Sequence, residues 1–206
     1  MPVPDGKYCT VAALKTYGDV PNLAVGMDQI YSDAILRAEA TFERQCGSQF
    51  NQQTTGMVEP WNVFVDGAGW MWLNAMEVGP ITAVGTVQYR ILDSSGWKTL
   101  AWGADDIILP NATTAPPVAG WTARIYNNTL PSLATGQLLA RWSYTGGYAT
   151  TPQALTSIIE RLAWWMIKLR EAPVGTVRNE LGTLEVPVDM PKDILRDCML
   201  WARDYL

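Results

Sequence analysis

The sequence predicts an α+β fold: a helical bundle base of about four helices with an inserted antiparallel β domain, sandwich-like or barrel-like. Three observations carry this. Residues 1–50 and 149–206 place apolar side chains at helical spacing. Residues 51–148 instead hold short runs of β-formers broken by turn residues. The two regimes meet at Gly146-Gly147-Tyr148-Ala149-Thr150-Thr151-Pro152, where a strand from Leu138 to Tyr144 gives way to a long amphipathic helix.

The helical elements follow from caps and spacing. Thr10 caps a short helix to Tyr17, with Val11 and Leu14 facing inward and Gly18 ending it. Beyond the loop at Pro21-Asn22, a longer helix runs from Met27 to Cys46. Ile30, Ala34, Ala38 and Phe42 lie four apart on it, and Asp28 suits its positive end. Gly47 stops it, with Phe50 just past the stop. The central helix, Gln153 to Glu171, has Thr151 as its expected N-cap, Pro152 at its first position and Ala172-Pro173 at its end. An arm from Val174 to Val188 turns around Asn179-Glu180-Leu181-Gly182. Pro191 opens a last helix, whose stripe of Ile194, Leu195, Cys198, Met199, Ala202, Tyr205 and Leu206 runs to the final residue.

Between the helices, Val63-Phe64-Val65 and Trp70 to Leu73 flank Asp66-Gly67-Ala68-Gly69, a hairpin signal. Ile81 to Ile91, Trp97 to Trp102, Ile107 to Leu109 and Trp121 to Tyr126 are further predicted strands. Pro110 to Ala119 and Asn127 to Gly136 read as loops.

Composition removes several function classes. A formal charge of −5 argues against gripping DNA through a basic face. With no histidine, and Cys9, Cys46 and Cys198 far apart, the usual zinc sites and every histidine-based mechanism are absent. No phosphate-loop motif occurs, so no cofactor is expected. The N-terminus has no apolar signal-peptide core, and charges interrupt the central helix, so neither secretion nor a membrane span is expected. The one catalytic arrangement to weigh is a carboxylate pair, in which Asp105 or Asp106 meets Glu59, Glu77 or Asp93; the plainer reading makes these acids solvated turn residues. No residue is assigned as catalytic, cofactor-binding or metal-ligating. Ten tryptophans suit packing and interfaces, or a sugar-stacking face.

Several stretches, taken in order, resemble the head–tail connector (adaptor, head-completion) proteins of tailed bacteriophages. Tyr8 to Gly18 is similar to that family's first short helix. Asp28 to Phe50, through Ile35-Leu36-Arg37-Ala38-Glu39-Ala40-Thr41-Phe42-Glu43-Arg44 and Cys46-Gly47-Ser48-Gln49-Phe50, is similar to its long second helix and Gly-x-x-Phe exit. Met71-Trp72-Leu73, Gly79-Pro80-Ile81-Thr82-Ala83-Val84, and Tyr144-Thr145-Gly146-Gly147-Tyr148 to Pro152 resemble its strand, turn and lead-in to the third helix. The enlarged β region, 51–148, departs from compact members.

The resemblance implies a non-enzymatic virion protein of the neck, made in the host bacterial cytoplasm. It implies a ring of about twelve copies on the portal protein, meeting head to tail. Such a ring would extend the DNA channel, let genomic DNA pass through the lumen without specific binding, and offer a surface to a downstream neck or tail-completion protein. On that reading, portal or subunit contacts are expected from the terminal stripe and arm: Leu195, Met199, Trp201 (facing outward), Ala202, Tyr205, Leu206, Val177, Leu181 and Leu184. The alternative is a carbohydrate-binding module or tail-associated receptor-binding domain, which predicts a flat row of open tryptophan faces on one β surface.

Overall fold

A computed structural model of the chain describes residues 3–19, 25–57, 61–62, 65–66, 68–75, 77–92, 96–109, 121–127, 138–171, 177–179, 182–184 and 190–202. The fold is α+β, and the chain forms two compact units, Met1–Gly47 with Thr151–Leu206, and Ser48–Thr150.

The first unit contains the helices α1 (Val11–Tyr17), α2 (Asp28–Cys46), α3 (Gln153–Glu171) and α4 (Lys192–Met199). Thr10 caps α1 by accepting from the Ala13 N–H at 3.1 Å. Gly47 ends α2 at φ 68°, a left-handed conformation that glycine adopts without strain. α3 spans the expected Gln153–Glu171, but Pro152 rather than Thr151 takes the cap position, its carbonyl accepting from Leu155 and Thr156 at 3.0 and 3.1 Å. α2 packs on α1, α3 and α4. The shared core comprises Leu14, Ile35, Ala38 and Phe42 with Leu155, Ile159, Leu162, Ile167, Ile194 and Cys198, all buried. Small residues at 34 and 38 are buried as well, so neighbouring backbones approach closely there.

Two corrections concern this unit's C-terminal end. The last helix stops at Met199 instead of running on as a continuous stripe, and residues 203–206 lie outside the described residues. Trp201, expected to face outward, is only 2% exposed and stands edge-on to Phe42 with ring centres 6.3 Å apart. Burying so large a ring outweighs leaving it in water. The predicted arm does form a hairpin: strands Val177–Asn179 and Gly182–Leu184, β9 and β10 in chain order, pair antiparallel with Gly182 opposite Asn179.

The second unit contains β1 (Gln53–Thr54), β2 (Trp61–Asn62), β3 (Trp70–Asn74), β4 (Ile81–Ile91), β5 (Lys98–Thr99), β6 (Ile107–Ile108), β7 (Thr122–Tyr126) and β8 (Leu138–Gly146). One antiparallel sheet runs β1-β8-β4-β5, with β2 also on β8; the other runs β3-β7-β6. β8 alternates buried and half-buried along its whole length, the period of a strand with one face in the core. Its inward Leu138, Ala140, Trp142 and Tyr144 meet Met71, Leu73, Ala123 and Ile125 of the second sheet in one core. Gly147 has φ 85°, and a Cβ there would collide with the Asn51 carbonyl, so only glycine lets the chain leave β8 at this point.

Strand boundaries in the β unit depart from expectation where pairing is short. Among the described residues the predicted hairpin around Asp66 shows the antiparallel bridge of Val65 to Met71, with Val63, Phe64 and Gly67 outside them, and β3 pairs in addition with β7. Asp66 still makes the turn, its Oδ1 accepting from the N–H groups of Ala68 and Trp70 at 2.9 and 3.0 Å. Of Trp97 to Trp102 the strand itself is Lys98–Thr99, with the Leu100 N–H donating to the Val87 carbonyl at 2.9 Å just beyond it. Asp105 and Asp106 lie in a 3-10 turn, Ala104–Asp106, between the predicted strands.

Candidate interaction surfaces

α4 is held against α3 by charge. Arg161 of α3 divides its guanidinium between Asp197 at 2.6 Å and Asp193 at 2.5 Å, one helical turn apart on α4. With Ile194, Cys198 and Trp201 buried, the opposite side of the segment is left outward. Met199 is 57% and Leu200 61% exposed, the two most exposed of the large apolar side chains described. Two adjacent apolar side chains thus stand in solvent at the end of α4, where exposure forgoes most of their transfer free energy. The sequence reading named Met199 but missed Leu200, which falls between the positions of the helical stripe.

The other expected contact residues divide. Leu195 and Ala202 are half-buried, and Trp201 belongs to the unit's own core. Val177 and Leu184 are backbone partners in the register of the β9–β10 hairpin. Leu181, Tyr205 and Leu206 lie outside the described residues. A second surface feature is a shallow apolar groove between α2 and α3, floored by Ala40, Trp165, Met166 and Leu169 and flanked by Arg37 and Arg170.

Chemistry is not concentrated anywhere in the described residues. No group of three histidine, cysteine or carboxylate side chains is placed to hold a metal among them. Asp106 is committed to its own turn, its Oδ2 accepting from the Gly103 N–H at 2.7 Å. Glu59 and Asp93, the other partners considered for a carboxylate pair, lie outside the described residues, and Glu77 is exposed. Glu39 is the one deeply buried carboxylate described, and it serves structure: its Oε1 accepts from the Tyr8 N–H at 2.7 Å. Burial raises its pKa above the ordinary glutamate value, against the pull of the N–H groups of Tyr8, Lys7 and Cys9.

The tryptophan faces are largely occupied. Arg124 lies over Trp72 at 4.7 Å, and Arg90 and Arg141 both lie over Trp97, at 5.1 and 4.5 Å. Trp142 stacks on Tyr144, Trp70 tilts onto Tyr126 and Trp121 meets the edge of Phe50. These contacts cover ring faces that a sugar would need. Trp102, beside Gly103, Asp106, Tyr126 and Asn127, lines a shallow polar hollow. No helix among the described residues is long and apolar enough to cross a membrane.

No family model matches the chain, and no curated protein matches it by sequence. Its fold does match solved structures over its whole length. A chain from the neck of an empty gene transfer agent particle, computed with C6 symmetry, superposes with a TM-score of 0.57 at 12% identity. A chain from the virion of a native gene transfer agent particle superposes with a TM-score of 0.55 at 15% identity. Each likeness covers 100% of this chain and 94% of the other. At these identities the likeness establishes a shared fold.

Proposed function

We propose that this chain is a structural neck protein of a tailed phage or phage-like particle. It serves as a head–tail adaptor, a ring of copies seated on the portal that extends the DNA channel and receives the next neck or tail protein. The observation that carries the reading is the whole-chain likeness in fold to chains from gene transfer agent particles, one of them from the neck, both helical and β units included. The order of sequence motifs points the same way, and a mildly acidic chain suits a conduit that must release DNA. No enzymatic step is needed for this role. Met199 and Leu200, with the β9–β10 hairpin, are the surfaces assigned to portal attachment.

Deleting residues 190–206 would remove Ile194, Cys198 and Trp201 from the core, so surface variants make the sharper test. Met199→Asp with Leu200→Asp should leave far-UV circular dichroism unchanged. It should abolish co-sedimentation with DNA-filled heads that bear a portal but no tail. Saturable wild-type binding at a fixed multiple of the portal vertex supports the adaptor role. Undiminished binding by the double variant would remove α4 from the portal contact, and no wild-type binding would refute the role itself.

A further inference from the structure

On the outer face of the five-stranded sheet, two arginines converge on one indole. Arg90 belongs to β4 and Arg141 to β8, with their guanidinium carbons 5.1 and 4.5 Å from the centre of the Trp97 ring. Register explains the convergence: Gln88 lies opposite Arg141 and Arg90 opposite Leu139, so the arginines are diagonal neighbours on one face. Arg141 Nε donates to Gln88 Oε1 at 2.7 Å, while Arg90 Nε is buried with no acceptor. Both are left with their terminal nitrogens to present. Neither belongs to an ion pair among the described residues. Two like charges fixed on one ring repel each other, and an anion brought between them relieves that repulsion.

The surroundings say what kind of anion. Ile91, opposite the inward Leu138, belongs to the other face of the sheet, but Leu92, just past the strand end, is 53% exposed, and a nucleic-acid phosphate would leave such an aliphatic side chain uncovered. A protein surface pairing a carboxylate with aliphatic side chains fits both halves of the patch. This chain carries one. In the turn Ala104–Asp106, Asp105 is exposed and outside any ion pair among the described residues, while Asp106 is spent on its cap. Ile108 and Leu109 follow, 41% and 37% exposed. Arg124, opposite Ile108 in register, is folded onto Trp72.

We propose that Arg90, Trp97 and Arg141 of one copy, with Leu92, dock the Asp105 corner of the next copy, with Ile108 and Leu109. The proposal rests on the ring reading and supplies one of its subunit contacts. Because the patches lie on different sheets, the contact joins unlike surfaces and can propagate from copy to copy. A handful of side chains a copy is fewer than the roughly 20–30 residues a side of a stable interface. Free copies therefore associate weakly, and the contact closes as one of several within a ring.

The test is cross-linking of a Leu92→Cys/Leu109→Cys variant with a short bis-maleimide, both substitutions being at exposed positions. The three native thiols are buried and do not compete. At millimolar protein a ladder of dimers, trimers and larger species is expected, with neither single-cysteine variant giving dimers. Adding Arg90→Glu and Arg141→Glu should lower the yield about tenfold, and further adding Asp105→Arg should restore it. Dimers from one single variant would mean the patch meets itself, and would overturn the proposal. So would a ladder indifferent to charge reversal, or a yield that the third substitution fails to restore. No ladder from a chain that still forms rings on particles overturns this contact and leaves the ring intact. Particle images without a ring would refute the ring reading itself.

Discussion

Replacing Glu39 tests how the amino-terminal segment is held on the helical unit. The segment wraps a buried carboxylate. Tyr8 N–H donates to Glu39 at 2.7 Å, the Tyr8 hydroxyl donates to Glu43 at 2.6 Å, Lys7 pairs with Glu43 at 3.0 Å, and Ser32 Oγ donates to the Pro4 carbonyl at 2.7 Å. Glu39→Ala leaves at least one buried N–H without an acceptor and opens a small cavity. The first costs about 1–3 kcal/mol and the second about 1–2 kcal/mol, for a total of about 3 kcal/mol. With a slope of about 1.5 kcal/mol per molar urea, the helical transition followed at 222 nm should move down by about 2 M. Glu39→Gln keeps an acceptor oxygen and removes the burial penalty on the charge, so its cost should be about 1 kcal/mol or less.

The pH dependence has a definite sign. Burial holds the Glu39 pKa above its ordinary value, so the folded state binds this proton more tightly than the unfolded state. The contribution is fully present below the ordinary glutamate range and is lost as pH rises through the folded value. Wild-type stability relative to Glu39→Gln should therefore increase as pH falls from neutral toward about 4.5. Parallel curves for the two proteins over that window, or a loss below about 1 kcal/mol for Glu39→Ala, would refute the reasoning.

Three further outcomes are expected. Trp201→Ala, which empties the site against Phe42, should destabilise the helical unit by about 3–5 kcal/mol, whereas Met199→Ala should change stability by less than about 0.5 kcal/mol; urea denaturation separates the two. Arg161→Ala should speed hydrogen exchange selectively in α4, because Asp193 and Asp197 lose their shared partner. Burial raises the thiol pKa of Cys9 to about 12 and of Cys198 to about 11, and pushes Cys46 up as well. An aromatic disulfide reagent at pH 8 should therefore react with none of them in the native protein and with all three in urea.

How much was legible in the sequence depended on how local the cause was. α1, α2, α3, β4 and β8 were readable because Thr10, Asp28, Gly47 and the alternation along Leu138 to Tyr144 act within a turn or a few residues. Pairing was not readable. β3 finds β7 about fifty residues away because their inward side chains complete one core, and nothing near Trp70 announces that partner. The orientation of Trp201 was missed for a related reason. An aromatic beyond a helix end suits either side, and the choice was made by Phe42, on a helix distant in sequence. The convergence of Arg90 and Arg141 on Trp97 likewise needed the register of β4 and β8, which spacing along the chain does not contain.

The shortness of the strands flanking β8 and β4 bears on life in a crowd. β8 is bonded along both sides, by β4 on one and by β1 and β2 on the other, and β1, β2 and β5 are each two residues long. A border of two residues offers an incoming strand too few backbone groups to bind. Many copies standing shoulder to shoulder would otherwise invite runaway strand addition, the route to fibres. In the proposed ring, β1, β2 and β5 would offer a neighbour little backbone to pair with, leaving recognition along them to side chains.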